Sequence, residues 1–114
     1  MARPQALRKR LIAHALAKPG AWLDHPWGED VAKVGQKVFV FFGTGAGSYG
    51  MGVKLPLSGP LALAQPGVSP SGYGLGKAGW VSIEFSDALN FEMLRDWIDE
   101  SYTSVAPKRI AAKR

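Results

Sequence analysis

The sequence contains no cysteine, and this absence excludes several kinds of protein. A disulfide scaffold, a thiolate metal site and a cysteine nucleophile all require thiols. The chain also lacks the uninterrupted apolar stretch of a signal peptide or a membrane span, because charged residues interrupt the N-terminal segment 1–18 every few positions. We therefore expect an unprocessed cytoplasmic protein with no membrane contact.

Histidine is scarce as well, with two residues in the chain. A transition-metal site usually needs several ligands aimed at one point. His25 has acidic neighbours, and further carboxylates lie near the last predicted helix, but the pattern is typical of surface and capping charge. We expect no metal, no cofactor and no catalytic residue, and hence a protein that is not an enzyme.

Two segments match the glycine pattern of dinucleotide-binding loops, at 45–50 and at 74–79. Such a loop must lie between a strand and a helix, because the helix N-terminus supplies the amides that hold the pyrophosphate. Both segments here are followed by predicted strands. Ordinary loop glycines are the better interpretation.

What the sequence does have is enough apolar material for one core. The 114 residues are 46% hydrophobic, and a chain of this length buries roughly two-thirds of its unfolded surface. There is no internal repeat and no interior linker. We expect a single domain over residues 1–114, with a basic and flexible tail from about residue 107.

The net charge of +5 is unevenly distributed. Residues 1–18 contain five basic residues and no acid, and residues 107–114 contain four more and no acid. Residues 19–106 contain five basic and nine acidic residues, a net of −4. Basic ends suit an anionic partner such as nucleic acid, although charged helix faces and tails also keep small domains soluble.

Apolar periodicity predicts three helices, and proline or glycine marks their ends. The first runs roughly over residues 4–18 and stops at Pro19-Gly20; the second is about two turns long after Ser58. The last begins at Asn90, a good N-cap, and places Phe91, Leu94, Trp97, Ile98, Ser101, Tyr102 and Val105 on one stripe before Pro107.

Alternating apolar and polar residues predict five strands. Segments 31–34 and 37–42 flank Gly35-Gln36, a pair suited to a two-residue hairpin turn. Segments 51–55 and 80–85 also alternate, and a short strand is expected at 72–75. Segment 21–30 reads as an ordered loop whose indoles, Trp22 and Trp27, cover the core. The prediction is an α+β two-layer sandwich with a mainly antiparallel five-stranded sheet, in the order α-β(3)-α-β(2)-α.

Six short segments of the chain form a recognisable set: 19–21, 26–30, 33–39, 53–55, 79–81 and 100–108. Their order and spacing resemble the MmcQ/YjbR family over nearly the whole chain. The resemblance implies a fold similar to that of CyaY-like proteins and type III secretion chaperones. It also implies binding to DNA through a proposed double wing. CyaY-like iron binding would need an acidic first helix, which Arg8, Lys9 and Arg10 contradict.

Our first functional prediction is therefore a non-enzymatic domain that binds DNA through its phosphates, without base-specific contacts. The residues predicted to contribute are Arg8, Lys9, Arg10, Lys37, Lys54, Lys108 and Arg109. Strand lysines such as Lys33, Lys37, Lys54 and Lys77 also have a simpler explanation, because lysines on edge strands discourage aggregation.

The alternative is a protein-interaction module, for example a homodimer, with a contact surface formed by the sheet or by Trp22 and Trp27. Ser101-Tyr102 is a hallmark of the resemblance, and a nucleophilic serine is one interpretation of it. Ser101 lies on the apolar stripe of the last helix, however. We expect it to be a small packing residue, beside a Tyr102 hydroxyl that reaches a buried hydrogen bond.

Overall fold

The computed structural model describes residues 2–45, 49–72, 75–86 and 89–107. In these ranges the elements are α1 (Ala2–Leu16), β1 (Ala21–Asp24), β2 (Asp30–Val34), β3 (Lys37–Gly43), β4 (Gly50–Lys54), α2 (Gly59–Leu63), β5 (Val68–Pro70), β6 (Trp80–Glu84) and α3 (Phe91–Val105). Short 3-10 turns occupy Pro26–Gly28 and Leu75–Ala78. No helix in these ranges is long and apolar enough to cross a bilayer.

The strands form one antiparallel sheet in the order β1-β2-β3-β4-β6-β5. The predicted α+β class is confirmed, but in the part of the chain that the structure describes the sheet has six strands instead of five. The additional strand is β1, where the sequence predicts a loop. It pairs with β2 along its whole length, from Ala21 opposite Val34 to Asp24 opposite Val31.

The strand predicted at 72–75 is misplaced as well. Gly72 lies in a turn, residues 73 and 74 are outside the described ranges, and Leu75 begins a 3-10 turn. The strand is instead β5, which pairs with β6 from Val68 opposite Ile83 to Pro70 opposite Val81. A proline is tolerated there because β5 is an edge strand, where one side of the backbone needs no ladder partner.

The β2–β3 hairpin forms at the predicted position. Gly35 has a φ of +61°, a conformation that glycine adopts without steric cost and that tight hairpin turns require. Two register shifts interrupt the β2–β3 pairing, one between Asp30 and Val31 and the other between Ala32 and Lys33. Such bulges increase the local twist of the sheet.

Helices α1 and α3 pack on the same side of the sheet and bury the core. We call this side the covered face; Val40, Val53 and Val81 lie on it in register across β3, β4 and β6. The helices contribute Leu7, Leu11 and Ala15 from α1, and Leu94, Trp97, Ile98 and Tyr102 from α3, all buried. The stripe predicted for α3 is thus the inner side of that helix.

The start of α3 is also as predicted, because the Asn90 side chain accepts a hydrogen bond from the Met93 N–H at 2.8 Å. This satisfies one of the N–H groups that have no partner within the helix.

Ser101 joins α3 to two strands of the sheet. Its hydroxyl donates to the carbonyl oxygen of Phe39 at 2.6 Å and accepts from the N–H of Lys54 at 2.9 Å. The β3–β4 pairing extends only over Val40–Val53 and Phe41–Gly52, so the serine supplies a partner to backbone groups where the ladder stops. The adjacent Tyr102 hydroxyl donates to the carbonyl of Pro19 at 2.6 Å. The Tyr102 hydroxyl thus makes the expected hydrogen bond, at a partly buried position. Ser101 is buried as expected, but its hydrogen bonds to two strands were not predicted.

Candidate functional site

Arg8 is the predicted phosphate-binding residue whose position differs most from expectation. Its guanidinium contacts the Asp30 carboxylate at 2.6 Å and donates to the carbonyl of Gly43 at 3.2 Å. A longer bond, at 3.4 Å, reaches the carbonyl of Phe42. The side chain is 13% exposed. Arg8 therefore fixes α1 to the end of β3 and to the start of β2, and it is not a free surface cation.

The ion pair has an electrostatic consequence for Asp30. The Arg8 guanidinium, and to a lesser extent the His25 imidazole at 2.7 Å, lower the pKa of Asp30 below its ordinary value of 3.8, against the opposing effect of burial. Asp30 is thus held ionised between two donors. Within the described ranges no three His, Cys, Asp or Glu side chains converge as a metal site would require.

Arg10 and Lys9 lie on α1 in different environments. The Arg10 guanidinium stacks over the Phe91 ring, 4.0 Å from its centroid, a cation–π contact that joins α1 to α3. Lys9 is exposed, and no described carboxylate forms an ion pair with it. It is two positions from both Leu7 and Leu11, so it projects from the opposite side of the helix to these buried leucines.

Lys37 and Lys54 lie near the same end of the sheet, which we call the hairpin end because it contains Gly35 and Gln36. Lys37 is exposed and begins β3, and Lys54 ends β4, the antiparallel neighbour of β3. No described side chain forms an ion pair or hydrogen bond with either ammonium group. Lys54 projects from the uncovered side of the sheet, whereas Lys37 pairs with the core residue Val34 and shares its side.

The remaining basic residues are partly neutralised or outside the described ranges. Lys33 pairs with Asp24 at 2.8 Å and lies over the Trp22 ring at 5.2 Å. Lys18 pairs with Asp99 at 2.7 Å. The side chain of Lys77, and the whole of Lys108 and Arg109, lie outside what the structure describes.

Although Lys108 and Arg109 themselves are not described, the helix before them is. α3 ends at Val105, one turn after Tyr102, whose hydroxyl reaches Pro19 between α1 and β1. Since β1 begins opposite Val34, at the β2–β3 turn, α3 also ends at the hairpin end. Lys37, Lys54 and the end of α3, which precedes the basic segment 107–114, thus lie at the hairpin end. Lys9 does not lie at this end.

Asp99 organises the contact between the two long helices. Its carboxylate accepts from the Nε2 atom of His14 at 2.6 Å and from Lys18 at 2.7 Å. Partial burial opposes ionisation, but the two bonds outweigh it and lower the pKa of Asp99 below its ordinary value. The cluster thus links α1 and the segment after it to α3.

The uncovered side of the sheet, which we call the open face, carries aromatic and small residues. It is defined by Phe41, Gly52 and Ser82, which lie in register across β3, β4 and β6. Phe41 packs edge-on against Trp80, with the ring centroids 5.3 Å apart. Trp22 is 42% exposed, and its indole N–H donates to the carbonyl of Gly35. The prediction that Trp22 covers the core is therefore wrong. The Trp27 side chain, for which the same was predicted, lies outside the part of the protein that the structure describes.

A groove of ≈ 600 Å³ crosses the open face at the end remote from the hairpin. Its floor is formed by Phe41, Gly52 and Ser82, with Ser69 of β5 beyond them, and Glu29 and Glu84 also line it. The sequence did not predict this groove. The alternation of β4 and β6 predicted a wet side for each strand, but the groove depends on β4, β6 and β5 being neighbours, which periodicity does not reveal.

Comparison with known proteins gives a family and a fold. A family model described as YjbR matches residues 16–104. The structure is similar to the crystal structure of Deinococcus radiodurans protein DR2400, described with a DUF419 domain, at a TM-score of 0.75 and 22% sequence identity. The similarity covers 92% of this chain and 85% of that one. No curated protein matches the sequence.

Proposed function

The chain belongs to the YjbR family, and we propose that it is a non-enzymatic cytoplasmic domain that binds duplex DNA through phosphate contacts, without sequence preference. The observation that supports this proposal is the grouping of unpaired cations at the hairpin end. Lys37 and Lys54 have no acidic partner in the described chain, and α3 ends nearby, before a segment with four basic residues.

The proposed interaction is concentrated on one end of the molecule. We take Lys37, Lys54, Lys108 and Arg109 as the contributors. Arg8 and Arg10 are assigned structural roles, because their guanidinium groups already contact Asp30 and Phe91. Each ammonium or guanidinium group that neutralises a phosphate releases condensed counterions, so binding of this kind weakens steeply as salt rises.

The test is a fluorescence-anisotropy titration of a mixed-sequence duplex between about 50 and about 200 mM salt. We expect the double variant Lys37→Ala/Lys54→Ala to bind more weakly and to have a shallower log–log salt slope, by about 0.9 for each phosphate that the variant no longer neutralises. The control is Lys9→Ala/Arg95→Ala, which removes the same charge from the helices. No binding at the lowest salt, or equal weakening in both double variants, would contradict the proposal.

A second candidate function, a protein-interaction module, is favoured by exposed leucines around α2. Leu57 is 84% exposed and Leu61 is 65% exposed, and Leu63 is also exposed. Leucine side chains are usually buried, and an exposed apolar group on a small domain often marks a contact surface. The partner under this hypothesis is a second copy of the chain.

Light scattering during size exclusion tests this second candidate. We expect a dimer that the double variant Leu57→Ser/Leu61→Ser converts to a monomer without loss of helical circular dichroism. A wild-type protein that stays monomeric at millimolar concentration would exclude the homodimer. Because this surface and the hairpin end share no residue, the result does not affect the test of DNA binding.

A further inference from the structure

The open-face groove has the properties of a binding site and is separate from the proposed DNA contacts. Its floor is a row of residues that pair across neighbouring strands, Phe41 with Gly52, Gly52 with Ser82, and Ser82 with Ser69. The row offers one aromatic ring, one exposed stretch of backbone and two hydroxyls. A volume of ≈ 600 Å³ lies within the range of small-molecule sites in proteins.

Gly52 keeps this groove open, although the backbone does not require glycine there. A Cβ atom at Gly52 would lie 3.6 Å from the Phe41 side chain and 3.7 Å from the carbonyl of Val81, which are ordinary contact distances, and its φ is not positive. Glycine within a strand is destabilising relative to alanine. By contrast, a Cβ at Gly50 would clash with the carbonyl oxygen of Ile83, so glycine is structurally necessary at that position.

The charge of the groove is negative. Glu29 and Glu84 line it, and no Lys or Arg is among the described residues that do. Neither carboxylate forms an ion pair or side-chain hydrogen bond with a described residue, in contrast to Asp24, Asp30 and Asp99. Their negative potential favours a cation and disfavours a phosphate.

The two carboxylates are separated across the sheet. Glu29 immediately precedes β2, where Asp30 is opposite Gly43 of β3, and Glu84 of β6 is opposite Gly50 of β4. From β2 to β6 there are three strand spacings, or about 14 Å at a spacing of about 4.8 Å. A ligand that neutralises both carboxylates must therefore be elongated and must carry positive charge at two separated points.

We propose that the groove binds a linear polyamine. Its terminal ammonium groups would pair with Glu29 and Glu84, and its methylene chain would lie on Phe41 and on the bare backbone at Gly52. Three features of the groove support this choice: two separated carboxylates that can accept charge-assisted hydrogen bonds, an aromatic ring on which methylene groups can pack, and a floor with no side chain at Gly52. The inference does not depend on the proposed function.

Isothermal titration calorimetry of the full chain with spermidine tests the inference. We expect saturable binding that weakens about tenfold in Glu84→Gln and in Glu29→Gln, the loss typical of one charge-assisted hydrogen bond. Glu92→Gln, which removes an exposed carboxylate from α3, is the matched control and should change the affinity by less than about twofold. Propylamine, with one ammonium group, should bind at least about tenfold more weakly than spermidine.

A second variant keeps the inference testable without a change of charge. Gly52→Val fills the floor and suits a strand, so we expect it to fold and to lose spermidine binding. Its fold is checked by circular dichroism and thermal unfolding. The inference is overturned if spermidine gives no saturable heat at low salt, or if Glu92→Gln loses as much affinity as Glu84→Gln. It is also overturned if folded Gly52→Val binds spermidine as tightly as the wild type does. A lysine-rich peptide is titrated in the same way, and binding of this peptide without binding of spermidine would also overturn the inference.

Discussion

On the covered face of the sheet, helices α1 and α3 bury the strand side chains, whereas no described helix lies over the strands on the open face. Every buried polar side chain in the described ranges has a hydrogen-bond partner. The covered face is built from Leu11, Phe39, Ile98 and similar residues that are inaccessible to solvent. The open face exposes aromatic rings, serine hydroxyls and glycine backbone. The difference indicates that one face carries the stability of the domain and that the other is available for binding.

The largest expected difference in the free energy of unfolding is between the same truncation made at a buried leucine and at an exposed leucine. Leu11 on α1 is completely buried, and Leu61 on α2 is 65% exposed. Leu11→Ala should lower the free energy of unfolding by about 3 kcal/mol, because it leaves a cavity beneath α1. Leu61→Ala should change it by less than about 0.5 kcal/mol. Urea denaturation of both variants gives the two values, and similar losses would contradict the contrast.

A smaller effect is expected where the covered face contains its buried hydroxyl. Ser101→Ala leaves the Phe39 carbonyl and the Lys54 N–H without their partner, which should destabilise the domain by about 2 kcal/mol. Ser104→Ala, at an exposed position of the same helix, is the control and should be neutral or slightly stabilising, because alanine favours helices. If thermal unfolding gave equal stability for both variants, the bridging role of Ser101 would be excluded.

The smallest effect concerns the ion pair at the margin of the sheet. Arg8→Met should raise the pKa of Asp30 and lower the free energy of unfolding at neutral pH by about 1 kcal/mol. The pKa of Asp30 lies lower in the folded than in the unfolded state, so its stabilisation is complete above the ordinary value of 3.8 and is lost as pH falls through the folded value. The difference between wild type and variant should therefore narrow in acid.

Carboxyl NMR titration of Asp30 and denaturation at neutral and acidic pH measure this effect. Lys9→Met is the control, since it removes a neighbouring charge that has no ion-pair partner in the described chain. An Asp30 pKa that is the same in Arg8→Met as in Lys9→Met would show that Arg8 does not determine it.

The elements with strong local signals were predictable from sequence, and the long-range contacts were not. Periodicity identified α1 and α3, and Gly35 located the hairpin. The strand β1 was missed because its four residues have no clear alternation and depend on pairing with β2.

The candidate sites were less predictable for the same reason. The contact of Arg8 with Asp30 spans 22 positions in the chain, and a basic residue on a helix gives no local sign that it will be neutralised. The open-face groove depends on the order of β4, β6 and β5, which only the packed structure provides. Local sequence patterns thus predicted the helices and most of the strands. Which charged side chains remain unpaired is determined by contacts between residues that are distant in the chain.

The order of the strands has a consequence for how the domain folds during synthesis. Strands β1 to β4 are neighbours both in the chain and in the sheet, so they can pair through short loops once residue 54 has left the ribosome. Their apolar side, however, is completed by Trp97, Ile98 and Tyr102 of α3, the last described element. A nascent chain that stopped before α3 would expose the apolar side of the sheet to solvent. We expect such a fragment to recruit chaperones or to aggregate.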